Sequence, residues 1–171
     1  MARKITGVGM LVALALLLSY IELLLPISAG IPGIKPGLAN LVVLVALYLL
    51  PAEEAFLISM LRILLAGMLS GNLISLLFSL SGGICSFFVM LFCYRSNRFS
   101  PAGVSLAGGT AHNVAQIAAA SVILNTPSLF YYLPLLLLAG IVTGLCNGMI
   151  AARILPSVWA CYGQPDAEKY D

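Results

Sequence analysis

Charged side chains are scarce in this chain: they make up 8% of its 171 residues against 61% for hydrophobic ones, and the mean hydropathy is +1.09. A water-soluble domain of this length needs charge to cover its surface, so lipid is the expected solvent and a polytopic membrane protein the expected class. Aspartate occurs only as Asp166 and Asp171, which excludes an aspartate-rich cluster able to hold magnesium on a diphosphate. There is one histidine, His112, and no C-x-x-C pair, so neither a zinc site nor a disulfide framework is expected. Cys85, Cys93, Cys146 and Cys161 read as small membrane-buried hydrophobes. Without a Walker A sequence the chain cannot power transport through a P-loop of its own. No basic patch invites nucleic acid, and one histidine cannot supply a nucleophile with both base and orienter. Catalysis, metals and cofactors are therefore not expected.

The apolar runs divide into six helices. The first is expected over residues 5–25, ended by Pro26, and the second from Pro36 to just before Pro51. The others are expected over residues 52–71, 72–94, 101–124 and 128–154. Arg3-Lys4, the apolar run and "PISAG" imitate a signal peptide, but about 20 apolar residues exceed the usual h-region, so an uncleaved first helix is expected. Six crossings put both termini on one side. Arg3, Lys4, Arg95, Arg98, Arg153 and Lys169 gather at the termini and the loop after the fourth helix, whereas the opposite loops hold only Lys35. Both termini are therefore expected in the cytoplasm. Residues 1–155 form one membrane domain, and residues 156–171 read as a short polar cytoplasmic tail.

The second helix is short. About 15 residues rise only about 22 Å, less than a hydrocarbon core of about 30 Å. The preceding segment, "PISAGIPGIKPG", is rich in glycine and proline. It is either an ordinary surface loop before a tilted helix or a loop that dips toward the core, and irregular backbone at that depth requires a protein-lined cavity.

Small residues recur at helical spacing: Gly140, Gly144 and Gly148; Ala111, Ala115 and Ala119; Gly67 and Gly71. Such stripes let helices approach closely in lipid. Gly9 with Ala13, and Ala15 with Ser19, give the first helix a small-residue face suited to internal packing or to docking another membrane protein. Gly82-Gly83 in the fourth helix allows a kink or a close contact.

Arg62 falls near mid-depth, where an ionisable group is costly and should face a cavity or a partner. Glu22 is the nearest carboxylate by depth, although an interfacial carboxylate in water would look the same in sequence. His112 and Gln116 share a stripe with Asn113 beside them, either as interhelical hydrogen-bonding groups or as a ligand pocket. Lys35 and Asn40 would enter the same outer half. The surplus of cationic groups favours a ligand with a carboxylate or phosphate. Glu53 and Glu54 suit the N-terminal dipole of their helix.

The stretches "GIPGIKPGLANLVVLVALYLL", "RILLAGMLSGN", "FSLSGG" and "GGTAHNVAQ", in this order, resemble the Gx transporter family, small membrane proteins also labelled heptaprenyl diphosphate synthase component I. That family is in turn similar to the substrate-binding S components of energy-coupling factor vitamin transporters. The resemblance implies a bacterial inner-membrane protein with an outward pocket gated partly by the loop after the first helix. It also implies docking, through small residues on the first helix (Gly9, Ala13, Ala15, Ser19), to a transmembrane coupling subunit driven by two cytoplasmic ATPases. The ligand would contact Arg62, His112, Asn113 and Gln116, with Lys35 and Asn40 at the gate and Glu22 pairing with a cation or the ligand. The second label implies instead a noncatalytic membrane partner of a soluble prenyl diphosphate synthase.

Overall fold

The computed structural model describes residues 2–24 and 37–162. Among them are six α-helices and one 3₁₀ helix, with no strand: α1 (Ala2–Leu24), α2 (Leu38–Leu49), α3 (Ala52–Ser70), α4 (Leu73–Arg95), α5 (Pro101–Ile123), the 3₁₀ helix (Pro127–Tyr132) and α6 (Leu133–Tyr162). The Gly/Pro-rich segment with Lys35, and the tail from residue 163, lie outside the described residues.

Local chemistry explains most boundaries. Gly71, Asn97 and Asn125 adopt positive φ at three turns, the conformation that glycine and asparagine accept most readily. Asn72 accepts from the Ser75 N–H at 3.0 Å to open α4, and Ser100 accepts from Gly103 N–H ahead of Pro101 to open α5. The last helix departs from expectation at both ends. Residues 127–132 wind as a 3₁₀ helix, and α6 starts at Leu133 with Pro134 in its first turn, where a missing N–H costs nothing. It then runs through Pro156 to Tyr162, beyond the expected boundary at residue 155. A proline removes one helical hydrogen bond and need not end the helix.

The helices α3, α4, α5 and α6 pack as successive antiparallel neighbours, α1 lies against α3, and α2 touches α1, α3, α5 and α6. Seven of the twelve residues of α2 are buried, so this short helix is the core around which the others stand. The bundle has two unlike ends. At one, Val43, Leu44, Leu47, Ile58, Phe87, Met90, Val104 and Leu155 form a dry apolar core. At the other the interior is polar.

Large apolar side chains cover the outside: Met68 is 76% exposed, Phe92 75% and Val122 80%. Water would penalise such a surface and lipid does not. Two helices, Leu73–Arg95 and Pro127–Ala160, are long and apolar enough to cross a bilayer. The cysteines divide. Cys93 is buried inside the bundle, whereas Cys85 and Cys146 face outward among these apolar residues, because helical periodicity turns them away from the bundle.

The glycine stripe of α6 lies directly on the α5 backbone. A Cβ on Gly144 would come within 2.9 Å of Ser105 O and Leu106 Cα, and one on Gly148 within 2.4 Å of Ala102 Cα. Gly82 and Gly83 leave α4 continuous and serve close contact, with α5 and α3 respectively. Because backbone cannot swing aside as a side chain can, Gly148→Ala should lower stability by about 1–3 kcal/mol, read as a fall in Tm of the solubilised protein. Gly9→Ala, whose added Cβ meets nothing within 4 Å, should leave Tm unchanged or slightly raised.

Candidate functional site

At its polar end the bundle encloses a chamber of about 110 Å³. The residues singled out from sequence converge on it from four helices: Glu22 from α1, Asn40 from α2, Arg62 from α3, and His112, Asn113 and Gln116 from α5, with α4 and Thr143 of α6 adding further wall. Only Lys35 of that set lies outside the described residues.

The chamber is built around the start of α2. A helix leaves its first N–H groups without intrahelical acceptors, and here the residue before the helix is Gly37, in the left-handed conformation (φ 70°, ψ 24°) with no side chain to cap it. The cap comes from another helix: the Leu38 N–H donates to Glu22 Oε1. From the opposite side, Asn147 of α6, itself buried, donates through Nδ2 to Gly37 O at 2.9 Å. Carboxylate and helix N-terminus suit each other electrostatically.

Arg62 is buried, 8% exposed, and its Nη2 donates to Asn40 Oδ1. The charge of Glu22 acts on it favourably. Its Nε has no hydrogen-bond partner among the described residues. A buried guanidinium with a donor unused is an expensive arrangement, and a chamber beside it is where a further acceptor can sit.

His112 and Gln116, one helical turn apart, face the chamber because α4 has no side chain opposite them: a Cβ on Gly82 would fall 2.9 Å from His112 Cε1 and 3.0 Å from Gln116 Cγ. Asn113 also lines the wall, but its amide is engaged, donating to Leu136 O of α6 at 2.6 Å. It therefore ties α5 to α6, as the interhelical alternative for this trio expects.

Sequence reasoning missed several wall residues. Ser75 and Ser79, one turn apart on α4, line the chamber with Ser70 and Thr143. Their spacing was the available signal, muted because hydroxyls in membrane helices often bond their own backbone, as Thr143 does to Ala139 O at 2.9 Å. Asn147, on the glycine-rich helix, carried little information in sequence; it does not line the chamber but holds the Gly37 carbonyl. The small-residue face of α1 also splits: Gly9 and Ala13 are exposed, whereas Ala15 is fully buried and Ser19, at 8% exposed, lines the chamber. Ala15 and Ser19 belong to the interior of this chain and are not open to a docking helix.

Fold and site together define a helical membrane protein that encloses a polar chamber at one end. The chain belongs to the heptaprenyl diphosphate synthase component I family, whose model matches residues 11–154, a span that contains every residue lining the chamber. Neither a curated protein nor a solved structure matches it.

Because Glu22 both caps α2 and offsets Arg62, Glu22→Ala should cost about 3 kcal/mol, the low end for breaking a buried pair since Glu22 is only half-buried. Glu22→Gln keeps an acceptor for Leu38 and should cost less. Combining Glu22→Ala with Arg62→Gln should be less damaging than the separate effects imply, by about 0.5–3 kcal/mol. Denaturation of five proteins in one detergent (the parent, Glu22→Ala, Glu22→Gln, Arg62→Gln and the double variant) measures all three quantities.

Proposed function

We propose that the protein captures a small anionic molecule in the polar chamber, as the substrate-binding, S-component-like subunit of an energy-coupling factor type transporter. The observation that carries this reading is Arg62: a buried cation whose Nε finds no acceptor among the described residues, held by Asn40 at the wall of a chamber that His112 and Gln116 also line. Charge-assisted hydrogen bonds to a carboxylate or phosphate are the strong ones available to a guanidinium. Glu22 offsets the Arg62 charge only in part, because one of its oxygens accepts from the N-terminus of α2.

In this reading all six helices cross a bacterial cytoplasmic membrane, and both termini are cytoplasmic. The basic residues Arg95, Arg98 and Arg153 lie toward the dry end of the bundle, which the positive-inside rule assigns to the cytoplasm. The chamber then faces outward, where a captured molecule would arrive. The chain does no chemistry itself. Its energy comes from a transmembrane coupling subunit with cytoplasmic ATPases, met through the exposed Gly9 and Ala13 side of α1. Lys35 stands at the gate.

A second reading is favoured by the family description, which names a component of heptaprenyl diphosphate synthase. Here the chain is a noncatalytic membrane partner of a soluble prenyl diphosphate synthase. Two measurements separate the possibilities. The tagged protein, gently solubilised from native membranes, should bring down a multi-helix coupling protein with ATPases; recovery of a prenyl synthase without them puts the second reading first. Small molecules released by denaturing the purified protein should include an anionic species that Arg62→Gln protein, inserted at normal levels, has lost. Equal recovery from both proteins would sink the anion-capture reading.

A further inference from the structure

The polar chamber is small for a complete ligand site. At about 110 Å³ it has the volume of roughly four liquid waters, below the range of about 300–1,000 Å³ typical of small-molecule pockets. A second cavity of about 520 Å³ adjoins it between α4, α5 and the 3₁₀ helix. Its character is opposite: Phe78, Ile117, Leu124, Leu129, Tyr132 and Leu136 dominate the walls. Ser75 and Gln116 line both cavities, so a polar wall on one side and an apolar wall on the other meet at shared residues. Together the two reach the size expected of one ligand site.

We propose that these cavities are one site for an amphiphile, with an anionic head in the polar chamber beside Arg62 and an apolar tail in the cavity between α4, α5 and the 3₁₀ helix. This rests on the anion-capture reading above and names its ligand class. Gln116 lies at the junction of head and tail.

The tail cavity also sets the route of entry. Leu124 and Tyr132 at its rim are 47% and 52% exposed, and the surface beside them carries Val122 and Tyr131, at 80% and 88%. An apolar cavity with an apolar rim opens to lipid more readily than to water. The amphiphile enters sideways from the bilayer, head first toward Arg62, and its tail leaves lipid for a surface of similar polarity. Specificity for the head then comes from the buried polar groups, since an apolar wall discriminates weakly between chains.

The test uses the full chain in nanodiscs of uncharged phosphatidylcholine, with ³³P-labelled decyl phosphate and ³³P-labelled inorganic phosphate as probes and empty discs subtracted. Referred to the free aqueous concentration of each probe, decyl phosphate should bind at least about tenfold more tightly than phosphate, a gain that moving two methylenes out of water would supply. Ala120 also lines the tail cavity, and Ala120→Trp, whose indole would occupy part of it, should reduce that advantage and leave phosphate binding unchanged. Leu129→Asn, on the short 3₁₀ helix, should reduce the same advantage and serves if Ala120→Trp does not insert. Arg62→Gln should weaken both probes. If the two probes bind alike and both depend on Arg62, the amphiphile is overturned and anion capture stands. Decyl phosphate binding that Arg62→Gln leaves intact would mean an acyl-chain groove for bulk lipid only and also overturns the proposal. Absence of any Arg62-dependent binding would overturn both this proposal and the reading beneath it.

Discussion

A helix that begins inside a membrane bundle cannot leave its first N–H groups to water, and the start of α2 is where that constraint acts. Gly37 offers no side-chain cap, so the acceptor has to come from elsewhere in the chain, and Glu22 of α1 supplies it. The rest of the polar end follows from that choice. A carboxylate in such a place favours a nearby cation, and Arg62 is present on α3. Arg62 in turn finds Asn40, in the first turn of α2, while Asn147 reaches from α6 to the Gly37 carbonyl. Three helices are thus fastened to the beginning of a fourth that is only 12 residues long.

The other end of the bundle makes this possible. Apolar burial there is dense, with aromatic contacts such as Phe56 against Phe87 at a centroid separation of 5.1 Å. In lipid the hydrophobic effect does not pull helices together, so close packing has to do it. The glycines of α6 provide that packing by letting it lie on the α5 backbone. A rigid dry half and tightly packed α4, α5 and α6 hold the polar groups in position, much as a scaffold holds a binding loop in a soluble protein. The chamber can then keep a polar group partly unsatisfied without the bundle collapsing around it.

Much of this was legible in the sequence, and the failures have a common cause. Apolar run length and proline placement located five of the helices to within a few residues, and the cost of burying Arg62, His112 and Gln116 marked the chamber before its walls were known. Periodicity, however, reports which residues share a face and not what that face meets. For that reason Gly9–Ala13 and Ala15–Ser19 looked equivalent on α1 yet point to different surroundings. Asn113 looked like a neighbour of His112 in function, but its amide is committed to Leu136 O. Asn147 gave no sign of its importance, because its partner is a backbone carbonyl 110 residues away. The start of the last helix was misplaced since Pro127 and Pro134 both permit a helical start, and the chain uses the first for a 3₁₀ helix and the second for α6.

The same atoms answer to stability and to binding. Asn40 and Arg62 hold the first turn of α2 in place, and Arg62 is also the group whose remaining donor would meet the proposed ligand. An acceptor placed there would meet a buried donor that has no partner among the described residues, so part of the affinity would come from removing that cost. Linkage then requires that the ligand stabilise the fold by as much as its binding exceeds that of the unfolded chain. A site of this kind discriminates steeply, because a head group lacking the acceptor leaves the donor as costly as before, whereas a change in an apolar tail alters affinity only gradually. The division between polar chamber and apolar cavity is therefore also a division between the part of a ligand that would be recognised and the part that would merely be accommodated.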